Sequence, residues 1–134
     1  MPSPDQTNGK IVLLFFWAHW CADCKADSPT IARIVDTYRA RGLTIIAPTR
    51  QYGVAEGGRP ASPDRELRHL MNVRNTYYGF LHDQPVPVSE ANYEAYGVTS
   101  IPTYVLIDKE GIVRLYHPGR MTGDELEATI RALL

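Results

Sequence analysis

The feature that most limits how this 134-residue chain can fold is an apolar run, Ile11-Val-Leu-Leu-Phe-Phe-Trp-Ala18, that ends just before the pair Cys21-Ala-Asp-Cys24. An unbroken run rich in β-branched and aromatic residues is the pattern of a strand covered on both faces, as in a mostly parallel sheet. With Lys10 it predicts a strand over Lys10 to Trp17. Beyond the cysteines, Ile31, Ile34, Val35 and Tyr38 recur at helical spacing with Arg33, Asp36 and Arg39 between them. A helix is therefore expected from about Ala22 to Arg41, closed by Gly42. Pro29 falls inside that helix and is expected to kink it, because it removes a backbone donor and crowds the preceding turn. The cysteines thus stand where a buried strand gives way to a helix.

The remaining elements follow from pattern and punctuation. Leu43 to Ala47 reads as a second buried strand, completing a parallel strand-helix-strand unit. Residues 48–62 carry Pro48, Gly53, Gly57, Gly58 and Pro60 and are expected to form a long mobile loop. Ser62-Pro-Asp64 is a helix start, with Leu67, Leu70 and Met71 expected toward the core and an end near Asn75. Pro85 to Val88 reads as a short edge strand, and Ser89 to Tyr96 as a helical turn leading to Gly97. Thr103 to Ile107 and Ile112 to Tyr116 flank Asp108-Lys-Glu-Gly111 as an antiparallel hairpin. Thr122-Gly-Asp-Glu125 is a capping box opening a last helix with Leu126, Ile130, Leu133 and Leu134 on one face.

Composition narrows the function classes. Apolar residues at 44% and charged residues at 22% are ordinary globular usage, so one folded domain over residues 1–134 is expected. Fourteen basic against fifteen acidic side chains, with no basic run, argue against a nucleic-acid partner. The apolar run is too short to span a bilayer, and His19-Trp20 before Cys21 does not suit a lipidation site, which wants small residues there. No other segment reaches membrane-spanning length. A leader preceding the polar start Met1 to Gly9 is left open.

The chain holds two cysteines, three positions apart. A disulfide between them closes so small a loop that it removes little unfolded-state entropy, so reactivity explains the pair better than stapling. Thiol-disulfide exchange needs one accessible, partly ionised thiol and a second able to attack the mixed disulfide that results. At a helix start, the free backbone donors and dipole stabilise a thiolate at Cys21, while Cys24 is shielded one turn inside. Cys21 is expected to attack and Cys24 to resolve. A carboxylate at Asp23 opposes thiolate formation, whereas His19 favours it if protonated. His69, His82 and His117 are expected at the surface.

The segment Phe16-Trp-Ala-His-Trp-Cys-Ala-Asp-Cys24 resembles the active-site segment of the thioredoxin superfamily. Pro29 matches the proline of its catalytic helix, and Thr99-Ser-Ile-Pro-Thr103 resembles its cis-proline loop. Cys24-Lys-Ala-Asp-Ser-Pro29, the insertion before Tyr96-Gly-Val98, and Val105 to Gly111 are similar to the TlpA/ResA-like branch, which is related to the AhpC/TSA redoxins. The resemblance implies an α/β thioredoxin-like fold: a central mixed sheet flanked by helices, with a helical insertion between its βαβ and ββα halves. It implies a cis Pro102 and a substrate chain pairing with the backbone of Ile101, with Trp20 shaping the docking surface. The buried aspartate that thioredoxin keeps before this motif is replaced by Phe15. ResA-like proteins instead use an acid three residues after the second cysteine, which implies that Asp27 helps deprotonate Cys24.

The activity expected is thiol-disulfide exchange with protein substrates, as a reductant fed by an upstream electron donor, by a monomer needing no metal or organic cofactor. Two rivals are a thiol peroxidase and a metal-binding module using His19, Cys21 and Cys24. The first wants a proline and a threonine upstream of a lone cysteine, which Phe16 to Trp20 does not offer; the second lacks a fourth ligand. The resemblance points to the bacterial cell envelope if a leader was removed, with the cytoplasm as the alternative.

Overall fold

In the computed structural model, which describes residues 7–134, the chain order is β1 (Ile11–Phe16), α1 (Ala22–Tyr38), β2 (Leu43–Ile46), α2 (Pro63–Tyr77), α3 (Glu90–Ala95), β3 (Thr103–Ile107), β4 (Val113–Pro118) and α4 (Gly123–Leu133). The strands form one mixed sheet in the order β2-β1-β3-β4. β1 pairs parallel with β2 and antiparallel with β3, and β3 pairs antiparallel with β4.

All six residues of β1 are buried, as its unbroken apolar run requires. Strand side chains alternate between faces, so β1 seeds two cores at once. Ile11, Leu13 and Phe15 join Ile31 and Ile34 of α1, Leu70 and Val73 of α2, and Leu126 and Ile130 of α4. Val12, Leu14 and Phe16 pack instead with Tyr93 of α3, Val98 and Val105.

Several expected boundaries shift for local reasons. α1 stops at Tyr38, and a 3₁₀ turn over Arg39–Arg41 carries the chain to Gly42, whose φ of 102° only glycine adopts readily. Pro29 lies inside α1 without ending it. The stretch after β2 is not featureless: Val54 bridges Pro60, and Glu56–Gly58 makes a 3₁₀ turn. α2 begins at the Ser62 cap as expected but runs on to Tyr77. Its buried stripe is Glu66, Leu70 and Val73, while Leu67 is exposed and Met71 only partly covered.

Pro85 to Val88 is reduced from a strand to a single parallel bridge between Thr49 and Val88. Prolines cannot donate, so the segment bonds through the carbonyls of Pro85 and Pro87, which accept from Ala47 and Thr49. β4 starts at Val113, leaving Ile112 half exposed, because Asp108 holds the turn: its carboxylate accepts from the N–H groups of Glu110 and Ile112 and from Arg114. The Thr122 hydroxyl caps α4 by accepting from Glu125 N–H at 3.1 Å. Among the described residues no helix is long and apolar enough to cross a membrane.

Candidate active site

Strand register brings the site together. Phe16, the last residue of β1, pairs with Thr103, the first of β3. The chain leaving β1 toward the cysteines and the chain entering β3 through Ile101-Pro102 therefore meet at one end of the sheet's two central strands. The Ile101-Pro102 peptide is cis. Pro102 is buried, and its carbonyl accepts from Gly119 N–H at 2.7 Å, which ties the loop to the end of β4.

Cys21 and Cys24 are joined in a disulfide with their Cα atoms 5.3 Å apart. Cys21 is the N-cap of α1, and its Sγ accepts from the backbone N–H of Cys24 at 3.1 Å. The first backbone donors of a helix lack intrahelical partners, so a sulfur held there is placed to carry negative charge. Cys21 keeps slight exposure, 5%, and Cys24 has none. That asymmetry fits an attacking and a resolving thiol. Asp23, between them, is exposed.

Asp27, one turn beyond Cys24, is buried and fully engaged. One carboxylate oxygen accepts from Arg120 Nε at 2.7 Å and Nη2 at 2.6 Å, and the other accepts from the Tyr104 hydroxyl at 2.6 Å. Burial and the hydrogen bond to Asp27 push the Tyr104 phenol far above its usual range, so it stays a donor. Tyr78 is buried beside them, its hydroxyl without a partner among the described residues. Burial first, and the charge of Asp27 second, raise its pKa as well.

Phe15 fills the space where the resemblance leads one to look for an acid. It is fully buried, with ring centroids 5.6 Å from Tyr104 and 6.2 Å from Tyr78. Phe15→Asp is expected to lower stability by about 4 kcal/mol or more rather than to restore an acid, since it empties an aromatic site and buries an unpaired carboxyl. Chemical denaturation measures it.

His19 is buried, and its Nε2 lies 2.9 Å from Glu66 Oε2. Glu66, from α2, also accepts from the backbone N–H groups of Tyr52 at 2.7 Å and Gly53 at 3.0 Å. Burial pushes the Glu66 carboxyl up, but the bonds from Tyr52, His19 and Gly53 outweigh it and hold the group below the ordinary carboxylate range. An ionised Glu66 makes His19 Nε2 the donor; Nδ1 is buried with no partner among the described residues. His69 is only partly exposed, its ring edge-on to His19 at 5.0 Å and its Nδ1 3.0 Å from Glu56. His117 is likewise half-buried, and His82 alone of the three is exposed. Among the described residues no group of three or more His, Cys, Asp and Glu is arranged to hold a metal ion.

Trp20 is half exposed beside Cys21 and meets Tyr52 edge-on at 5.2 Å. Trp20 and Ile101 line one cavity of about 230 Å³, shared with Arg50, Tyr52, Tyr93 and Val98. Of the six residues the sequence singles out, Cys21, Cys24 and Asp27 lie along the start of α1, Trp20 and Ile101 line the groove next to it, and Pro102 follows Ile101 across the cis bond. Glu66, Tyr52, Tyr104 and Arg120 were not legible, since each meets the site only through tertiary contact.

A family model described as a thioredoxin-like domain matches residues 5–134. The thioredoxin-like protein YneN of Bacillus subtilis is 28% identical over 126 residues, 93% of this chain and 66% of that protein. The thiol-disulfide oxidoreductase ResA of Bacillus thuringiensis is 27% identical over 125 residues, 93% of this chain and 64% of that one. The chain thus spans just under two thirds of the length of these curated relatives. Among solved structures, the exposed lipoprotein thioredoxin of Streptococcus pneumoniae is 30% identical, with a TM-score of 0.68 over 96% of this chain and 89% of that one. Fold, site and comparisons agree that the chain belongs to the thioredoxin-like family.

Proposed function

We propose that this protein is a thiol-disulfide oxidoreductase that exchanges the Cys21–Cys24 pair with disulfides of protein substrates, acting as a reductant. The observation that carries the reading is the Cys21 sulfur on a free N–H in the first turn of α1, that of Cys24, with the Cys24 side chain sealed behind it. In the forward reaction the Cys21 thiolate attacks a substrate sulfur and the other substrate sulfur departs as thiolate. The Cys24 thiolate then attacks Cys21 Sγ, releasing the second substrate thiolate and closing the disulfide. Two electrons leave the protein, so a donor must return it to the dithiol form. The chemistry needs no metal or organic cofactor. A location in the bacterial cell envelope is supported by the pneumococcal relative, whose name describes an exposed lipoprotein.

Trp20, Ile101 and Pro102 form the docking edge in this proposal, the substrate chain pairing with the backbone of Ile101 as an added strand. Asp27 takes the proton of Cys24 during resolution. Its contacts to Arg120 and Tyr104 occupy both carboxylate oxygens and hold it in one orientation, so Arg120, half exposed, must loosen for the transfer. Asp27→Asn is expected to slow resolution about 10- to 100-fold and to flatten its pH dependence, as loss of a general base does. Stopped-flow measurement of mixed-disulfide decay across pH checks this; an unchanged rate and profile would remove Asp27 from the mechanism. The parent reading is tested by reduction of insulin disulfides together with the equilibrium potential of the pair against glutathione. No turnover of insulin or of any peptide disulfide would end it.

A further inference from the structure

We propose that the groove beside Cys21 selects substrates carrying an acidic side chain within about two residues of the reacting cysteine, and that Arg50 is the residue that reads it. The inference rests on the exchange reaction proposed above and names the substrate class of that site.

The groove is apolar and aromatic on most of its surface: Trp20, Tyr52, Tyr93, Val98 and Ile101 line it with two small hydroxyl residues. Arg50 is the one charged side chain among the described lining residues. Its guanidinium lies over the Tyr52 ring at 4.1 Å and near the Tyr93 ring at 5.5 Å. Contact with two aromatic rings restrains the guanidinium without cancelling its charge. Tyr52 is itself anchored, because Glu66 holds its backbone N–H and Trp20 meets its ring. The cation is therefore mounted on the same rigid wall as the exposed tryptophan next to the nucleophile.

The acid now facing Arg50 is a weak occupant. Glu90, at the start of α3, approaches at 3.5 Å, and its side chain is 69% exposed. An ion pair of that length and exposure contributes little and is easily exchanged. A carboxylate on a docked chain can replace it, using the fork in its preferred two-pronged geometry. Side chains along an extended peptide advance by about 3.3 Å per residue, so a residue one or two places from the substrate cysteine reaches a groove that begins at Trp20. Attraction between opposite charges raises the rate of encounter and disfavours basic substrates.

The test uses three synthetic peptide disulfides, identical except for Glu, Gln or Lys two residues from the cysteine. Each is mixed with the dithiol form of the full chain, and the second-order rate of reduction is read at low and at high salt. The Glu peptide is expected to react about ten times faster than the Lys peptide at low salt, and about twice as fast at 0.5 M salt, where exposed charges are screened. Glu90→Gln should widen that ratio, Arg50→Lys should narrow it, and Arg50→Gln should bring it near one. Each variant is judged by its own Glu-to-Lys ratio, so a general loss of activity does not mimic the effect. Equal rates for all three peptides with the natural chain, or a ratio unmoved by Arg50→Gln, would overturn the role of Arg50 and leave disulfide exchange standing. Failure to reduce even the Gln peptide would instead remove the exchange reading beneath it.

Discussion

Cys24→Ser is expected to convert the protein from a turnover catalyst into a trap that ends each encounter as a stable mixed disulfide on Cys21. The first attack needs only the outer sulfur, which keeps its exposure and its N–H donor from the start of α1. The second attack needs a thiolate one turn inside, and a serine hydroxyl is not ionised near neutral pH. Release then depends on an external thiol. Cys21→Ser should lower exchange by more than about 10³-fold, because Cys24 is fully buried and cannot reach a folded substrate. Non-reducing electrophoresis with a disulfide-bonded substrate separates the two: a covalent adduct with Cys24→Ser, none with Cys21→Ser. Adducts through Cys24 would reverse the assigned roles. The trapped partner would also identify a natural substrate.

What the sequence made legible was whatever depends on neighbours along the chain. The six buried residues of β1, the periodic apolar face of α1, the Ser62 and Thr122 caps and the Cys21 N-cap are all local patterns. The cis-proline loop was reachable through resemblance. The electrostatic wiring was not, because its partners are far apart in sequence. Asp27 meets Tyr104 and Arg120 across 77 and 93 residues, and His19 meets Glu66 across 47. Glu66 resembles any acid in the first turn of a helix, where the dipole alone would account for it. Turning it inward rotates α2 so that the stripe of Glu66, Leu70 and Val73 is buried and Leu67 is left outside. Apolar periodicity could not foresee that, since it has no means of counting the backbone donors that a buried carboxylate can satisfy.

Glu66→Ala is expected to lower stability by about 3–5 kcal/mol. The carboxylate is the shared acceptor of three donors from two other segments: the Tyr52 and Gly53 N–H groups and His19 Nε2. Removing it leaves three donors without this acceptor, the His19 N–H buried and the Tyr52 and Gly53 N–H groups partly so, and a cavity between α2 and the turn that leads to Cys21. For a domain of this size the loss corresponds to a fall in Tm of about 10 °C or more. Glu66→Gln keeps the shape and one acceptor oxygen, so its loss should be smaller. The two variants also separate charge from packing through pH. Because the folded carboxyl titrates below its unfolded value of about 4.3, its charge stabilises the fold above that pH, and the contribution disappears as pH falls through the folded value. Stability of the natural chain should therefore drop more steeply in acid than that of Glu66→Gln, the two curves converging at the lowest pH. Parallel acid unfolding curves would mean that Glu66 acts by volume and hydrogen bonding alone. Since Tyr52 carries both the edge contact to Trp20 and the stacked Arg50, loosening it should also erode exchange more than the fall in stability explains. Turnover measured well below the variant's own Tm isolates that part of the effect.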